Sequence, residues 1–424
     1  MGNICKMNKQ ISDGGNKTVS GFLSGRLLKF GVTSLVGMGA LSAVLLFAVG
    51  SATAQNLSVK YRRREAGFEA YAGRGHASGL KGAKKLKSSV SSRAPLQVVR
   101  EFPKNHSLDA NGRGAIVVNF DAPLAKRTKH PTIFPKVPGK WQKTNTSFVF
   151  RPSVAILPNT LETVTVPAGV TSRERGKTVR PSSFEFATRA GSVLRVEQIL
   201  AELNYLPLHF VASLPKQKRA GIGLAAAAKY FWTPPRGTFK WNFVPTAALA
   251  ADWSPGAQNV MFQGALTAFE ADHNLAMSTT VTTQDWQLLL KASMNPAGYQ
   301  NPHGYDYALV QEGSPETLTV YHNGQVVLNT PANTGISLTP TTLGTFYVYE
   351  KLPYQVMRGV NPNGVPYADP VQYVSYFDGG EAVHYIYRAE YGFPQSLGCV
   401  ELPLAAAATA YSYLPYGTLV TVEP

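Results

Sequence analysis

The sequence predicts a multidomain, mainly β protein: an N-terminal transmembrane or signal segment, a β-sandwich module, a small helical module, and a C-terminal β-rich domain with one helix. Three observations predict it. Short apolar runs punctuated by turn residues fill residues 97–189 and recur from about Pro302 to Pro424. Apolar residues spaced three and four apart occupy the stretch between them. An uncharged run from Phe30 to Gln55 is long enough to span a bilayer as a helix. The 424 residues allow two to three domains, and a hydrophobic content of 44% suits packed globular material.

Residues 1–29 read as a cytoplasmic tail and 30–54 as the transmembrane or signal segment. Ala52-Thr53-Ala54 fits a signal-peptidase site, so cleavage and retention both stay open, although the long polar leader favours a retained membrane anchor. Lys60, Arg62, Arg63 and Arg64 follow the apolar run, so flanking charge does not set its orientation. Residues 55–95 form a basic linker; from residue 56 on it carries ten Lys and Arg against Glu65 and Glu69. Such a run is a solvated arm suited to an anionic surface. It lacks interleaved aromatics and no nucleic-acid-binding module is visible, so nucleic acid is not an expected partner.

Residues 96–190 are expected to form a β-sandwich, with strands at 114–120, 147–150, 162–166 and 183–188. Residues 191–300 hold three expected helices, starting at Val193, Val260 and Thr283, with an insertion at 213–257 bearing Trp232, Trp241 and Trp253. Those tryptophans serve either a small core or stacking on sugars. In residues 301–424, Asn323-Gly324 between two β-rich runs marks a tight hairpin, because the pair supplies positive φ angles. Strands are expected at 344–350, 371–377, 382–387 and 419–422, and a helix over 403–414.

Of the two cysteines, Cys5 precedes the apolar run, so across a membrane Cys399 has no partner within the chain. A lone extracellular Cys is a reactive thiol or half of an intermolecular bridge. A nucleophilic Cys needs a proton acceptor, donors for a developing oxyanion, and access to substrate. His384 lies fifteen residues upstream on an expected strand and can accept the proton, and the amides near Gly398 and Cys399 can serve the oxyanion.

Three blocks then carry a family resemblance. Asn333-Thr334-Gly335 follows the hairpin, Pro340-Thr341-Thr342-Leu343-Gly344-Thr345-Phe346 is similar to "PTPxGTF", and Ser396 to Leu402 is similar to "SHGC[IV]R[LM]". Over about 120 residues this resembles the catalytic domain of bacterial L,D-transpeptidases. The resemblance implies a Cys399 nucleophile, a His384 base, oxyanion donors at Gly398 and Cys399, and Ser396 bracing the loop. It implies a substrate-covering lid over residues 354–373, with Tyr367 and Tyr373 lining it. Leu397, Tyr385 and Glu401 depart from the pattern. Tyr385 and Glu401 are taken as substrate contacts, and an unscreened Glu401 carboxylate is expected to raise the thiol pKa.

The expected partner is the peptidoglycan stem peptide, with the catalytic domain extracytoplasmic and facing the wall. Residues 97–189 resemble bacterial immunoglobulin-like spacers through the strand Ser183-Phe-Glu-Phe-Ala-Thr188. The helices resemble a small peptidoglycan-binding module, with Asn204 where Gly is usual, so wall glycan is a further expected partner, weighed against a plain helical connector. An L,D-carboxypeptidase at the same site and a non-catalytic wall-binding adaptor are the alternatives. No cofactor is expected, and His303, His322 and His384 show no metal-ligand spacing.

Overall fold

The computed structural model describes residues 93–213 and 224–424. The expected membrane or signal segment and most of the basic linker lie outside the described residues. Among the described residues no helix is long and apolar enough to cross a membrane.

The first module pairs two four-stranded sheets. Its strands are β1 (Val98–Phe102), β2 (Ser107–Ala110), β3 (Ile116–Phe120), β4 (Thr132–Phe134), β5 (Gly139–Lys143), β6 (Ser147–Pro152), β7 (Leu161–Val166) and β8 (Ser182–Thr188). The sheet orders are β1-β3-β6-β5 and β2-β8-β7-β4. Alternation drives the packing: Ile116, Val118 and Phe120 of β3 face Val164, Val166, Phe184 and Phe186 across one core. The strands without expected counterparts, β1, β2, β4 and β5, are short or largely exposed and carry little alternation.

A helical region follows: α1 (Val193–Glu202), β9 (Leu208–Ala212), α2 (Leu224–Tyr230), β10 (Gly237–Trp241), α3 (Ala247–Ala251), α4 (Val260–Asp272) and α5 (Thr283–Met294). Asn204 closes α1 with φ +62°; Tyr205 N–H donates to the Leu200 carbonyl and Asn204 N–H to that of Ala201. This is a Schellman stop, in which Asn is the usual substitute for Gly. A capping box between Thr282 and Asp285 starts α5, and the Asn259 side chain caps α4. The insertion is organised around the antiparallel β9–β10 pair. Trp241 and Trp253 pack against the helical core, while Trp232 lies under the Arg189 guanidinium.

The C-terminal domain contains β11 (Asp306–Gln311), β12 (Thr317–His322), β13 (Gln325–Pro331), β14 (Gly344–Tyr347), β15 (Glu350–Val360), β16 (Pro366–Asp378), β17 (Glu381–Tyr385), β18 (Val400–Leu402), α6 (Leu404–Tyr413) and β19 (Leu419–Glu423). One sheet runs β13-β12-β11-β19-β14 and the other β15-β16-β17-β18. The single strand expected over 344–350 is in fact two. The chain changes sheets at Val348 and Tyr349, whose N–H groups donate to Thr418 and Tyr376. Asn323 (φ +50°) and Gly324 (φ +80°) make the expected β12–β13 turn.

Central strands β11 and β19 are buried on both faces. Ala308, Val310, Val420 and Val422 join the core between the sheets and α6, while Tyr307, Leu309 and Leu419 complete the helical core. At that junction a side chain on Gly264 of α4 would meet the Gly417 carbonyl at 2.5 Å, so the helix rests directly on the turn before β19. The helical region and the C-terminal five-stranded sheet therefore share one core.

Glu270 of α4 is fully buried beside Asp285 of α5, with one oxygen accepting from Ser278 N–H at 2.9 Å. Burial first, then the neighbouring Asp285, push its carboxyl up to about 8. The folded state thus holds a proton that the unfolded chain releases near 4.5. Stability from this group is expected to fall as pH rises from 4.5 toward 8. Denaturant titrations across that window should show a flatter pH dependence in Glu270→Gln, which keeps an acceptor for Ser278.

Candidate active site

The site lies where the edges of the two C-terminal-domain sheets meet. β13 ends at Pro331 on one edge, and two residues later Asn333 pairs with Glu401 of edge strand β18, N–H to carbonyl in both directions (3.0 and 2.9 Å). The three sequence blocks interlock here. Ser396 N–H donates to the Thr334 carbonyl (2.9 Å), Ile336 N–H to the Ser396 carbonyl (3.0 Å), and Gly335 N–H to Thr341 Oγ1 (2.9 Å). Gly335 admits no side chain, since a Cβ would meet the Thr339 carbonyl at 2.1 Å. Thr334 is fixed by Glu316, which accepts from its N–H (2.6 Å) and its hydroxyl (2.8 Å).

Cys399 ends the loop entering β18 and keeps partial exposure. Ser396 Oγ donates to the Cys399 carbonyl (2.6 Å) and accepts from Gly398 N–H (3.1 Å), closing the loop on itself. The Gly398 amide, expected to serve an oxyanion, is therefore engaged within the loop. Gly398 sits at φ +111°, a conformation glycine tolerates, and a Cβ there would come within 3.3 Å of Glu381 Oε1.

Parallel pairing of β17 with β18 sets Val383 beside Val400 and His384 beside Glu401. Side chains alternate, so Val383 and Val400 enter the core while His384, Glu401 and Cys399 share the other face. His384 is buried and its Nδ1 has no hydrogen-bond partner among the described residues. Burial lowers its pKa, opposed by hydrogen bonding to the Tyr385 backbone. The thiol is pushed up to about 12, chiefly by burial; the Ala382 backbone N–H opposes this, and the Glu401 and Glu381 carboxylates add to it. Both shifts favour the uncharged form, of the thiol on one side and of the imidazole on the other.

Glu401 is only 3% exposed, and Arg388 grips it in a two-pronged ion pair, Nε to Oε2 at 2.8 Å and Nη2 to Oε1 at 2.6 Å. Asn333 Nδ2 adds a contact at 3.3 Å. The carboxylate is screened and committed to the scaffold, with no surface left for the substrate contact expected of it. Tyr385 packs toward the core between the sheets, away from the thiol. Tyr373 does likewise: it has φ +57° at a break in the β16–β17 register and its ring meets Tyr411. The bulge hands its place to Tyr376, which shares a cluster with Cys399 and Ala382. Burial and the nearby Cys399 raise the pKa of both Tyr367 and Tyr376. The expected lid over 354–373 falls within the β15–β16 hairpin, with Val360 and Val365 exposed at its tip and Tyr354 exposed farther back.

The L,D-transpeptidase catalytic domain family model, YkuD, matches residues 305–422. Residues 305–422 belong to the L,D-transpeptidase family. A bacterial Ig-like domain model matches residues 92–188. Similar solved structures include an L,D-transpeptidase from Mycobacterium smegmatis, 14% identical over 78% of this chain and 100% of that one, with a TM-score of 0.26. The catalytic domain of an Enterococcus faecium L,D-transpeptidase is 31% identical over 27% of this chain and 95% of that one, also at 0.26. L,D-transpeptidase 3 from Mycobacterium tuberculosis is 13% identical over 77% and 98%, again at 0.26. No curated protein matches the chain. The protein is a peptidoglycan L,D-transpeptidase, an acyltransferase with a cysteine nucleophile.

Three residues of this L,D-transpeptidase site escaped sequence reasoning. Arg388 follows β17 with no motif around it, Tyr376 depends on the bulge, and Glu381 is recognisable only by its contacts: Thr342 N–H at 3.1 Å and Thr342 Oγ1 at 2.9 Å. A basic residue within a strand's length of an anomalous acidic one was the only available signal for Arg388.

Because Glu401 is buried, removing its partner leaves an unpaired charge. Arg388→Ala is expected to cost about 3 kcal/mol in urea denaturation. Arg388→Lys, without the fork, should recover only part of it, and adding Glu401→Gln to Arg388→Ala should restore more.

Proposed function

We propose that Cys399 carries the acyl group and that His384 moves the protons. The observation that carries this reading is a partly exposed thiol, in a loop locked by all three sequence blocks, sharing a sheet face with a buried imidazole. Cys399 is also the one cysteine within residues 305–422.

Shifts toward the uncharged forms favour general-base attack over a preformed thiolate. As Sγ bonds to the stem-peptide carbonyl carbon, its proton passes to His384. The tetrahedral oxyanion takes the Cys399 N–H, the donor remaining of the two expected. Collapse breaks the C–N bond, the departing D-alanine amine takes the proton from His384, and a thioester remains. An acceptor amine then attacks that thioester, His384 takes its proton and returns it to sulfur, and a new amide links two stems. Tyr367 and Tyr376 flank the thiol from the hairpin and would orient the donor. Arg388 and Glu401 act beneath the site, holding β18 in place.

Such chemistry is extracytoplasmic. The apolar run at 30–54 supports anchorage in the cytoplasmic membrane, with residues 55 onward outside. Glycan binding by the helical region is a lesser expectation, since Trp241 and Trp253 are taken up by its core.

A carbapenem should add covalently and stoichiometrically to the protein, and Cys399→Ala should abolish the adduct. His384→Ala should slow adduct formation at least a hundredfold. The rate should stay level as pH falls to 6.5 and drop only below it, because burial lowers the His384 pKa from that value. Mass spectrometry over a pH series checks both; a wild-type protein that forms no adduct, or one that modifies Cys399→Ala, contradicts the assignment.

A further inference from the structure

Charge in this chain is strongly polarised. Residues 93–189 carry sixteen Lys and Arg against six Asp and Glu, whereas residues 305–424 carry three against ten. Within the Ig-like module the cations gather at one end of the sandwich. Lys126, Arg127 and Lys129 follow β3, and Arg173, Arg175 and Lys177 follow β7. The two segments are tied together: Ala125 N–H donates to the Thr171 carbonyl and Arg173 N–H to that of Pro123, both at 2.9 Å. Lys143 joins them, its Nζ donating to the Ala125 carbonyl at 2.9 Å.

Little at this end neutralises them. Among the described residues Arg175 alone has an acidic partner, Asp121 at 3.4 Å. Lys129 and Arg173 reach backbone carbonyls, which steadies their stems and leaves their charge intact. All seven except Arg175 are exposed. The chain also enters the sandwich here, through Arg93, whose Nη1 donates to the Arg173 carbonyl, so the basic residues preceding it adjoin this end in sequence. The helical region docks at the opposite end of β3 and β6, where Val154, Ala155 and Leu157 pack on its core.

Seven clustered cations repel one another, and a closely spaced polyanion relieves that repulsion. We propose that this end of the Ig-like module docks on the carboxylates of peptidoglycan, the polymer on which the catalytic domain acts. The catalytic domain bears the same sign as the stem carboxylates it must approach, so long-range attraction to the wall has to come from elsewhere in the chain. The Ig-like module supplies it, holding a domain that would otherwise be repelled within reach of its substrate. The proposal rests on the peptidoglycan reading of the active site and is independent of the chemistry at Cys399.

The test is co-sedimentation of the full chain carrying Cys399→Ala with purified sacculi, over a salt series. Adding Lys126→Gln, Arg127→Gln and Lys177→Gln should weaken binding at least tenfold at low salt. It should also make the slope of log affinity against log salt shallower, because fewer ion contacts release fewer counterions. Amidating the sacculus carboxylates with carbodiimide and ethanolamine should weaken the parent in the same way. Unchanged affinity in the triple variant overturns the proposal. So does binding that survives amidation but is lost when hydrogen fluoride strips phosphodiester polymers from the sacculi, or a preference for phosphatidylglycerol vesicles over sacculi. With Cys399 restored, the triple variant should still cross-link soluble muropeptides; loss of that activity in the parent as well would instead defeat the functional reading.

Discussion

The pairing of Asn333 with Glu401 is the constraint on which the active site depends. It joins the edge of one catalytic-domain sheet to the edge of the other, and the cysteine loop hangs from that seam. The backbone bonds alone would leave the Glu401 side chain buried and charged beneath the site, a costly arrangement without a partner. Arg388 and Asn333 supply the partners, so one ion pair fixes the register of β18, and with it the place of Cys399 opposite β17. Ser396 then shapes the last turn before the nucleophile.

Around that seam the layers share cores. Strands β11 and β19 serve the helical region on one face and the inter-sheet core on the other. A helical region packed this way is a structural floor for the catalytic sheet. The proposed reaction would draw on such packing, since it fixes where the His384 imidazole and the Cys399 thiol sit on their shared face. The charge distribution has a complementary effect, attractive to the wall at the Ig-like module and repulsive at the catalytic domain.

Much of this was legible in the sequence because it depends on local rules. The Asn323-Gly324 turn, the alternation in β3, β7 and β8, and the helical spacing in α1, α4 and α5 each follow from neighbours a few residues apart. The place of Cys399 and His384 was legible through three blocks that interlock in the fold. What failed depends on non-local geometry. The rise in thiol pKa expected from Glu401 holds, since its carboxylate adds to it, but the Arg388 guanidinium that pairs with that carboxylate sits thirteen residues earlier on an unremarkable loop. Tyr373 was read as lining the lid and Tyr385 as a substrate contact, yet a bulge in β16 and the alternation of β17 turn both toward the core and bring Tyr376 to the thiol. The Gly398 amide departs from expectation for a local reason, since the Ser396 hydroxyl two residues earlier accepts its hydrogen bond.

The most direct test of the central claim is intact-protein mass spectrometry of the purified enzyme incubated with a tetrapeptide-stem muropeptide and no acceptor. The account predicts a mass gain equal to the donor less D-alanine, mapped to Cys399 and discharged when an acceptor amine is added. A protein that binds the donor but gains no mass, or that carries the acyl group on another residue, would contradict it.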